Sequence, residues 1–350
     1  MKKLILIISI ISLIIPVIVY ANAAQPIQNP EDQTIIFNEN SGIRLTEETI
    51  NFKVEENLYK AKVEVEYNLK NLTDKEQNID IMFITSSVKS ADFKVKVNNK
   101  EVNDIKKEED IEPPSNWEVS LKEPIIEPIS KKPLDKSPNS YFRNTEDISG
   151  ATFPVTIKPN ETIKLNISYY SDSGFYNYNE IINTVFSQLY YLTPAKFWEE
   201  DAKVNLKVEF PKDSNIEFYS NILIEKVNNY TYKGTLNKIP DKEWLFSFTE
   251  KKGLIFNTNY RFRHNVLIGL ILLLLFIVTR IVKSKVNKKY IPYLLYLLMI
   301  PFILNIKLTY GAYFIPLLII YSIINSPIFY VIFIVIIVFM IKKGFSKNRL

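Results

Sequence analysis

Glu250 is the last acidic residue of a 350-residue chain, and that one position divides it into two chemistries. The 100 residues that follow carry 14 Lys and Arg, no Asp or Glu, and most of the long apolar runs. Upstream, with the first 23 residues set aside, 27 basic residues face 38 acidic ones, a net charge of about −11. Water must solvate the first part, whereas the second has too little polar surface to be solvated alone. The sequence therefore reads as an acidic soluble region followed by a basic, hydrophobic anchor region.

The N-terminus carries an address. Met1-Lys2-Lys3 is a short positive segment, Leu4 to Val19 is uncharged and apolar, and Ala21-Asn22-Ala23 offers small residues at a signal-peptidase site. Residues 1–23 are expected to be a cleaved signal peptide. The alternative, an uncleaved anchor helix, suffers from a run of only about 16 apolar residues interrupted by Pro16. No Cys follows the run, or occurs anywhere in the chain, so neither lipoprotein attachment nor a disulfide framework is available.

Residues 265–282 are expected to be the first mature membrane helix. The apolar core Val266–Thr279 would span about 21 Å against a hydrocarbon layer of about 30 Å, so Arg280 would have to snorkel. Lys283, Lys285, Lys288 and Lys289 make residues 283–289 a cytoplasmic basic loop, which sends the upstream region outside, in agreement with the signal peptide. Residues 290–306 form a second apolar span. Residues 312–341 are uncharged but broken at Pro316 and Asn325-Ser326-Pro327, and 342–350 form a basic tail. A cytoplasmic tail requires an odd number of mature spans; three are expected, with Ala312–Tyr321 interfacial or re-entrant, and four spans, placing the tail outside, is the alternative. Arg261, Arg263, His264 and Arg280 are the expected membrane-interface residues. No Asp, Glu or His lies within a span, which argues against a carboxylate-based ion pathway.

Between Ile35 and Thr249 the pattern is period-2 alternation rich in β-branched and aromatic residues. In Leu58–Leu69, Ala61, Val63, Val65 and Tyr67 face one way, and Lys62, Glu64 and Glu66 the other. Asn98-Asn99 predicts a tight turn after Phe93–Val97. Thr152–Ile157 and Ile163–Tyr169 flank a turn at Lys158–Glu161 and read as another hairpin. The expected fold class is an all-β extracytoplasmic region of one or two antiparallel immunoglobulin-like sandwiches, followed by an α-helical transmembrane region. The expected division places a sandwich domain at 24–170 and a second β-rich module at 171–260. Two segments depart from the strand pattern. Residues 111–138 hold six prolines and predict an extended loop, with Trp117 as the anchor if the loop binds a partner. Ile181–Leu192 places Ile182, Val185, Phe186, Leu189 and Tyr190 at helical spacing, which predicts a short packing helix.

Chemistry is sparsely indicated. The single His, His264, sits beside the membrane, and with no Cys the thiol and usual zinc ligand sets are missing. No cofactor is expected. Glu108-Glu109-Asp110 and Glu199-Glu200-Asp201 read as solvated charge runs, although a carboxylate pair for glycan hydrolysis stays open. Asp172-Ser173-Gly174 has too few oxygen ligands for calcium. The remaining clue is aromatic: Tyr176, Tyr178, Tyr190, Tyr191 and Trp198, with Trp117, form the candidate recognition set. Asn71, Asn160, Asn166 and Asn229 match the glycosylation pattern. The acidic external charge disfavours nucleic acid. The expected function is non-catalytic binding of a protein or cell-wall polysaccharide by a membrane-anchored envelope protein; a glycan hydrolase, or an accessory subunit of a membrane transport complex, are the alternatives.

Overall fold

The computed structural model describes residues 23–28, 34–85, 88, 92–109, 111–119, 124–134, 148–199, 202–285 and 291–307. The expectations for signal-peptide residues 1–22, for residues 286–289, for the 312–341 segment and for the tail at 342–350 lie outside the described residues; Ala23, the last residue of the expected signal peptide, is described and pairs with Phe83. The described chain is mostly β-sheet, followed by a C-terminal helix of membrane-spanning length. It falls into two compact units. The first holds the strands up to Tyr176 and from Val185 to Glu250; the second holds Asn177–Thr184 and the residues from Lys251 onward.

An eight-stranded sheet dominates the first unit. From edge to edge its strands are Glu225–Asn228, Thr231–Leu236, Lys203–Glu209, Ile43–Val54, Lys60–Asn71, Thr162–Asp172, Lys94–Val97 and Lys100–Glu101. Every pairing in it is antiparallel except Lys203–Glu209 on Ile43–Val54. Lys60–Asn71 shows why the alternation is reliable. Ala61, Val63, Val65, Tyr67 and Leu69 are all buried and the intervening residues are not, so one face supplies the core. The Asn98-Asn99 turn also forms as expected, both residues adopting positive φ (48° and 65°) between the paired strands.

Two four-stranded sheets meet that inner face. One runs Ala23–Ala24, Gln77–Thr85, Ser149–Ile157, Lys106–Glu108; the other runs Gly174–Tyr176, Val185–Tyr190, Trp244–Glu250, Ile216–Ser220. A single hydrophobic cluster joins all three sheets, with Phe83 and Phe153 from the first small sheet and Phe186, Tyr190, Trp244, Phe246 and Phe248 from the second. Phe52 centres it, its ring edge-on to Trp244 (5.4 Å), Phe246 (5.0 Å) and Tyr190 (6.3 Å).

The connections differ from the sequence expectation. Ser149–Ile157 and Thr162–Asp172 do not form a hairpin with each other. The first pairs with Gln77–Thr85, the second with Lys60–Asn71, so the turn at Lys158–Glu161 carries the chain from one sheet to another. The same corner is made after Asn71, and Asn71 ties the two corners together. Its buried amide nitrogen reaches the carbonyls of Lys75 (2.8 Å), Ile157 (3.1 Å) and Lys158 (3.1 Å), while its Oδ1 accepts from Thr73 N (2.9 Å). A side chain so enclosed is not an acceptor for a glycan. The eight-stranded sheet also takes strands from both sides of residue 170, because Lys203–Glu209 inserts beside Ile43–Val54.

The helix expected at Ile181–Leu192 is instead the strand Val185–Tyr190. All six of its residues are buried. Phe186 and Tyr190 enter the main core, whereas Leu189 joins a second cluster with Tyr191, Phe197 and Trp117. A strand covered on both faces loses its period-2 signature, and its apolar residues then fall by chance at helical spacing.

In the second unit, helix α1 (Arg261–Lys285) is joined by helix α2 (Ile291–Leu304). Helix α1 starts five residues before the expected apolar core and is about 37 Å long, against the roughly 21 Å expected for that core.

Candidate functional site

Helix α1 is the feature with the plainest chemical consequence. Its spacing sorts the side chains into two stripes. Arg261, His264, Asn265, Ile268, Leu275 and Thr279 lie on one side at helical intervals; His264, Ile268 and Thr279 are fully enclosed. Leu267, Leu270, Leu273, Leu274, Phe276 and Ile277 lie outward and are exposed. Arg261–Ser284 is long and apolar enough to cross a membrane, and only 11% of its most apolar window is buried within the molecule.

The enclosed stripe is fastened by polar groups at its N-terminal end. Arg261 Nη2 donates to the Ile181 carbonyl (3.0 Å), and Arg261 N donates to the Glu180 carbonyl (2.8 Å). Asn259 and Asn183 exchange two hydrogen bonds: Asn183 N donates to Asn259 Oδ1 (2.8 Å), and Asn259 Nδ2 to the Asn183 carbonyl (2.8 Å). Asn265 closes a second reciprocal pair with the segment after α2. Its Nδ2 donates to the Lys307 carbonyl (2.8 Å), and its Oδ1 accepts from Lys307 N (2.9 Å). The two helices are therefore antiparallel, with the end of α2 brought back to the beginning of α1. Asn305 Nδ2 donates to the Pro301 carbonyl (2.8 Å) and caps the α2 terminus.

Of the four expected membrane-interface residues, Arg263 is exposed at the start of α1 and Arg280 is exposed near its other end, its guanidinium 5.7 Å from the Phe276 ring centroid. Arg261 is turned into the loop contacts just described. His264 is a correction: it is enclosed, its ring 5.5 Å from that of Phe256 at 67°, and presents nothing to lipid headgroups. Because α1 begins at Arg261, position 264 falls on the inner stripe rather than in a free stem.

The candidate recognition set is corrected more broadly. Trp117, Tyr176, Tyr190, Tyr191 and Trp198 are all buried, so they form core rather than a binding platform; Tyr178 alone of the six reaches solvent, at 38% exposure. Trp117 does act as an anchor, but within the chain. Its Nε1 donates to Thr193 Oγ1 (2.8 Å), Thr193 N donates to Glu243 Oε2 (3.0 Å), and the Thr193 hydroxyl also bonds to Glu243. Phe37 and Tyr191 pack on the indole at 6.2 and 5.9 Å. This hydrogen-bonded chain fixes the segment around Trp117 to the first unit.

Among the described residues three acids are fully buried without any signal in the sequence: Glu127, Glu243 and Glu48. Glu127 accepts from the backbone N–H groups of Ile129 and Ser130. Glu48 lies in the main core with its side chain wholly excluded from water. A β-bulge between Leu45 and Glu47 shifts the alternation, so that Glu48, Ile50 and Phe52 continue the inner face where Glu47 would otherwise have pointed inward. Tyr190 donates to Glu48 Oε1 (2.8 Å), and the Tyr67 hydroxyl lies 3.0 Å from that of Tyr190. Burial raises the Glu48 carboxyl to about 8, outweighing the two tyrosine hydroxyls that favour its charged form. Burial and the nearby Glu48 likewise push both phenols well above their ordinary range. Among the described residues no cluster of three or more His, Cys, Asp or Glu is placed to hold a metal.

No protein-family model matches this chain, and no curated protein matches it. Among solved structures, a proposed nutrient-binding protein of Legionella pneumophila aligns at 13% identity over 65% of this chain and 71% of its own, with a TM-score of 0.42. Leukotriene A4 hydrolase of Saccharomyces cerevisiae aligns at 12% identity over 64% of this chain and 32% of its own (TM-score 0.35). An M1 zinc metallopeptidase of Deinococcus radiodurans aligns at 11% identity over 59% and 42% (TM-score 0.28). This chain thus spans less than half the length of either enzyme.

Proposed function

We propose that this protein is a membrane-anchored, extracytoplasmic β-sandwich protein that binds another envelope protein and performs no catalysis. The observation that carries the reading is the outward stripe of α1, where Leu270, Leu273 and Leu274 are 58%, 56% and 60% exposed in succession. Such a surface is stable in hydrocarbon and not in water. From Asn265 to Lys285 the helix runs about 30 Å, the thickness of the hydrocarbon layer. The Asn265–Lys307 pair returns the chain to its starting level, which supports α2 as a second crossing and a multi-pass anchor. The basic residues from Lys283 onward favour the cytoplasmic side, with the acidic β-sheet unit outside.

The choice of a protein partner over a polysaccharide rests on which apolar groups are presented. Sugars are held on exposed aromatic faces, and five of the six candidate aromatics are internal. Apart from Tyr59 at 47% exposure, the first unit presents aliphatic groups, the most exposed being Leu223 at 84% and Val227 at 57%, beside the edge strand Glu225–Asn228 of its largest sheet. A photo-crosslinking residue at position 223, activated in native membranes, tests this. A discrete protein adduct that disappears with Val227→Asp is expected; no adduct, or a glycan adduct, contradicts the binding assignment.

A further inference from the structure

We infer that Glu48, Tyr190 and Tyr67 form a proton-operated latch between the eight-stranded sheet and the four-stranded sheet that carries Tyr190, closed with Glu48 as the neutral acid and loosened when it ionises. The geometry comes first. Glu48 and Tyr67 are cross-strand neighbours in the large sheet, and Tyr190 reaches them from the facing one, so the hydrogen-bonded chain spans the interface. The bulge at Leu45–Glu47 exists at this point in the strand, and its effect is to aim an acid inward between Leu45 and Ile50, two apolar core residues. Among the described residues the buried Glu48 Oε2 has no hydrogen-bond partner. The tyrosine hydroxyls favour a carboxylate, but its bare second oxygen would leave charge without solvation in so dry a site, which favours the neutral carboxyl group.

Among the described residues no cation stands against the Glu48 carboxyl. The titratable neighbours are the two phenols and, beside both, Tyr169 on Thr162–Asp172. On Lys203–Glu209, which pairs with the Glu48 strand, the inward residues are Val204, Leu206 and Val208, while its lysines and Glu209 alternate outward. Trp244–Glu250 turns Trp244, Phe246 and Phe248 inward and leaves Glu250 half-buried at its end. Gln77–Thr85 contributes Phe83, 6.5 Å from Tyr190.

The pH dependence follows from the direction of the carboxyl shift. An unfolded Glu48 loses its proton near its ordinary 4.5, and the folded one near 8. Between those values the folded state holds the extra proton. Stability is therefore highest at or below the lower value and declines as pH rises, reaching its floor above the upper one. The folded-to-unfolded ratio should fall by up to about tenfold per pH unit across that window.

The test uses the full-length protein in detergent or nanodiscs. Denaturant midpoints of the wild type, followed from pH 5 to 9, should decline with pH, and Glu48→Gln should flatten that decline; an undiminished decline in the variant overturns the proposal. Should Glu48→Gln fail to fold, infrared spectra of the wild type decide. Ordinary carboxyl groups are ionised by pH 7, so a residual carboxylic-acid carbonyl band there, vanishing above about pH 9, is expected. Tyr190→Phe removes the donor that favours the ion and should move the loss of that band to higher pH. Absence of the band at pH 7 overturns the latch.

Discussion

Phe52 and Leu274 are both large apolar side chains on regular secondary structure, and the molecule treats them oppositely. Phe52 is fully enclosed by three aromatic rings drawn from a facing sheet, whereas Leu274 is 60% exposed on a helix whose neighbours at 270, 273 and 277 are exposed too. The difference fits the proposed membrane anchor, in which each unit suits a different solvent. The β-sheet unit hides its apolar groups, by alternation and by corners such as Asn71. The helical unit turns Arg261, Asn259 and Asn265 inward and leaves an apolar stripe outside, as a helix in hydrocarbon would.

Substitutions can break or sharpen that contrast. The largest effect is expected for Phe52→Ala, which should lower the stability of the first unit by about 3–5 kcal/mol. All three tryptophans, Trp117, Trp198 and Trp244, are buried in that unit, so denaturation followed by tryptophan fluorescence reads it selectively. Next comes Leu274→Arg, with an expected insertion penalty of about 2.5–3.5 kcal/mol, measured as loss of protein from carbonate-washed membranes. Asn71→Ala leaves the buried Ile157 carbonyl, and the part-buried carbonyls of Lys75 and Lys158, without their shared donor, and a cost of about 1–3 kcal/mol is expected in the same fluorescence assay. Leu223→Asp is the smallest. At 84% exposure to water it should change stability by less than about 0.5 kcal/mol, although position 223 is more exposed than 274. If the two exposed leucines tolerated charge equally well, the distinction between their solvents would be lost.

Much of the architecture was legible because half-buried strands advertise themselves. Ala61, Val63, Val65 and Tyr67 alternate with charged residues, and the structure buries that same set. The apolar run from Val266 likewise announced a helix, although the polar residues Arg261 to Asn265 concealed its true start. Three features could not be read. The strand Val185–Tyr190 is covered on both faces, which erases alternation and imitates a helix. Lys203–Glu209 pairs with a strand roughly 150 residues earlier, and local pattern carries no record of such a partner. Glu48 is turned inward by a one-residue bulge, while its neighbour Glu47 looks the same in sequence. The aromatic set is ambiguous in sequence for a related reason. Density of Tyr and Trp marks a core as readily as a platform, and only the closure of two sheets over Tyr190 and Trp198 distinguishes them.

The lack of any native cysteine permits a direct test of the central claim that the outward stripe of α1 lies in lipid while the sheets lie in water. Single substitutions Leu270→Cys, Leu274→Cys, Ile277→Cys and Leu223→Cys can be probed in intact membranes with a membrane-impermeant maleimide. Prompt modification at position 223, and protection of the three helix positions until detergent is added, is the predicted result. Equal modification at all four positions before detergent would contradict the account.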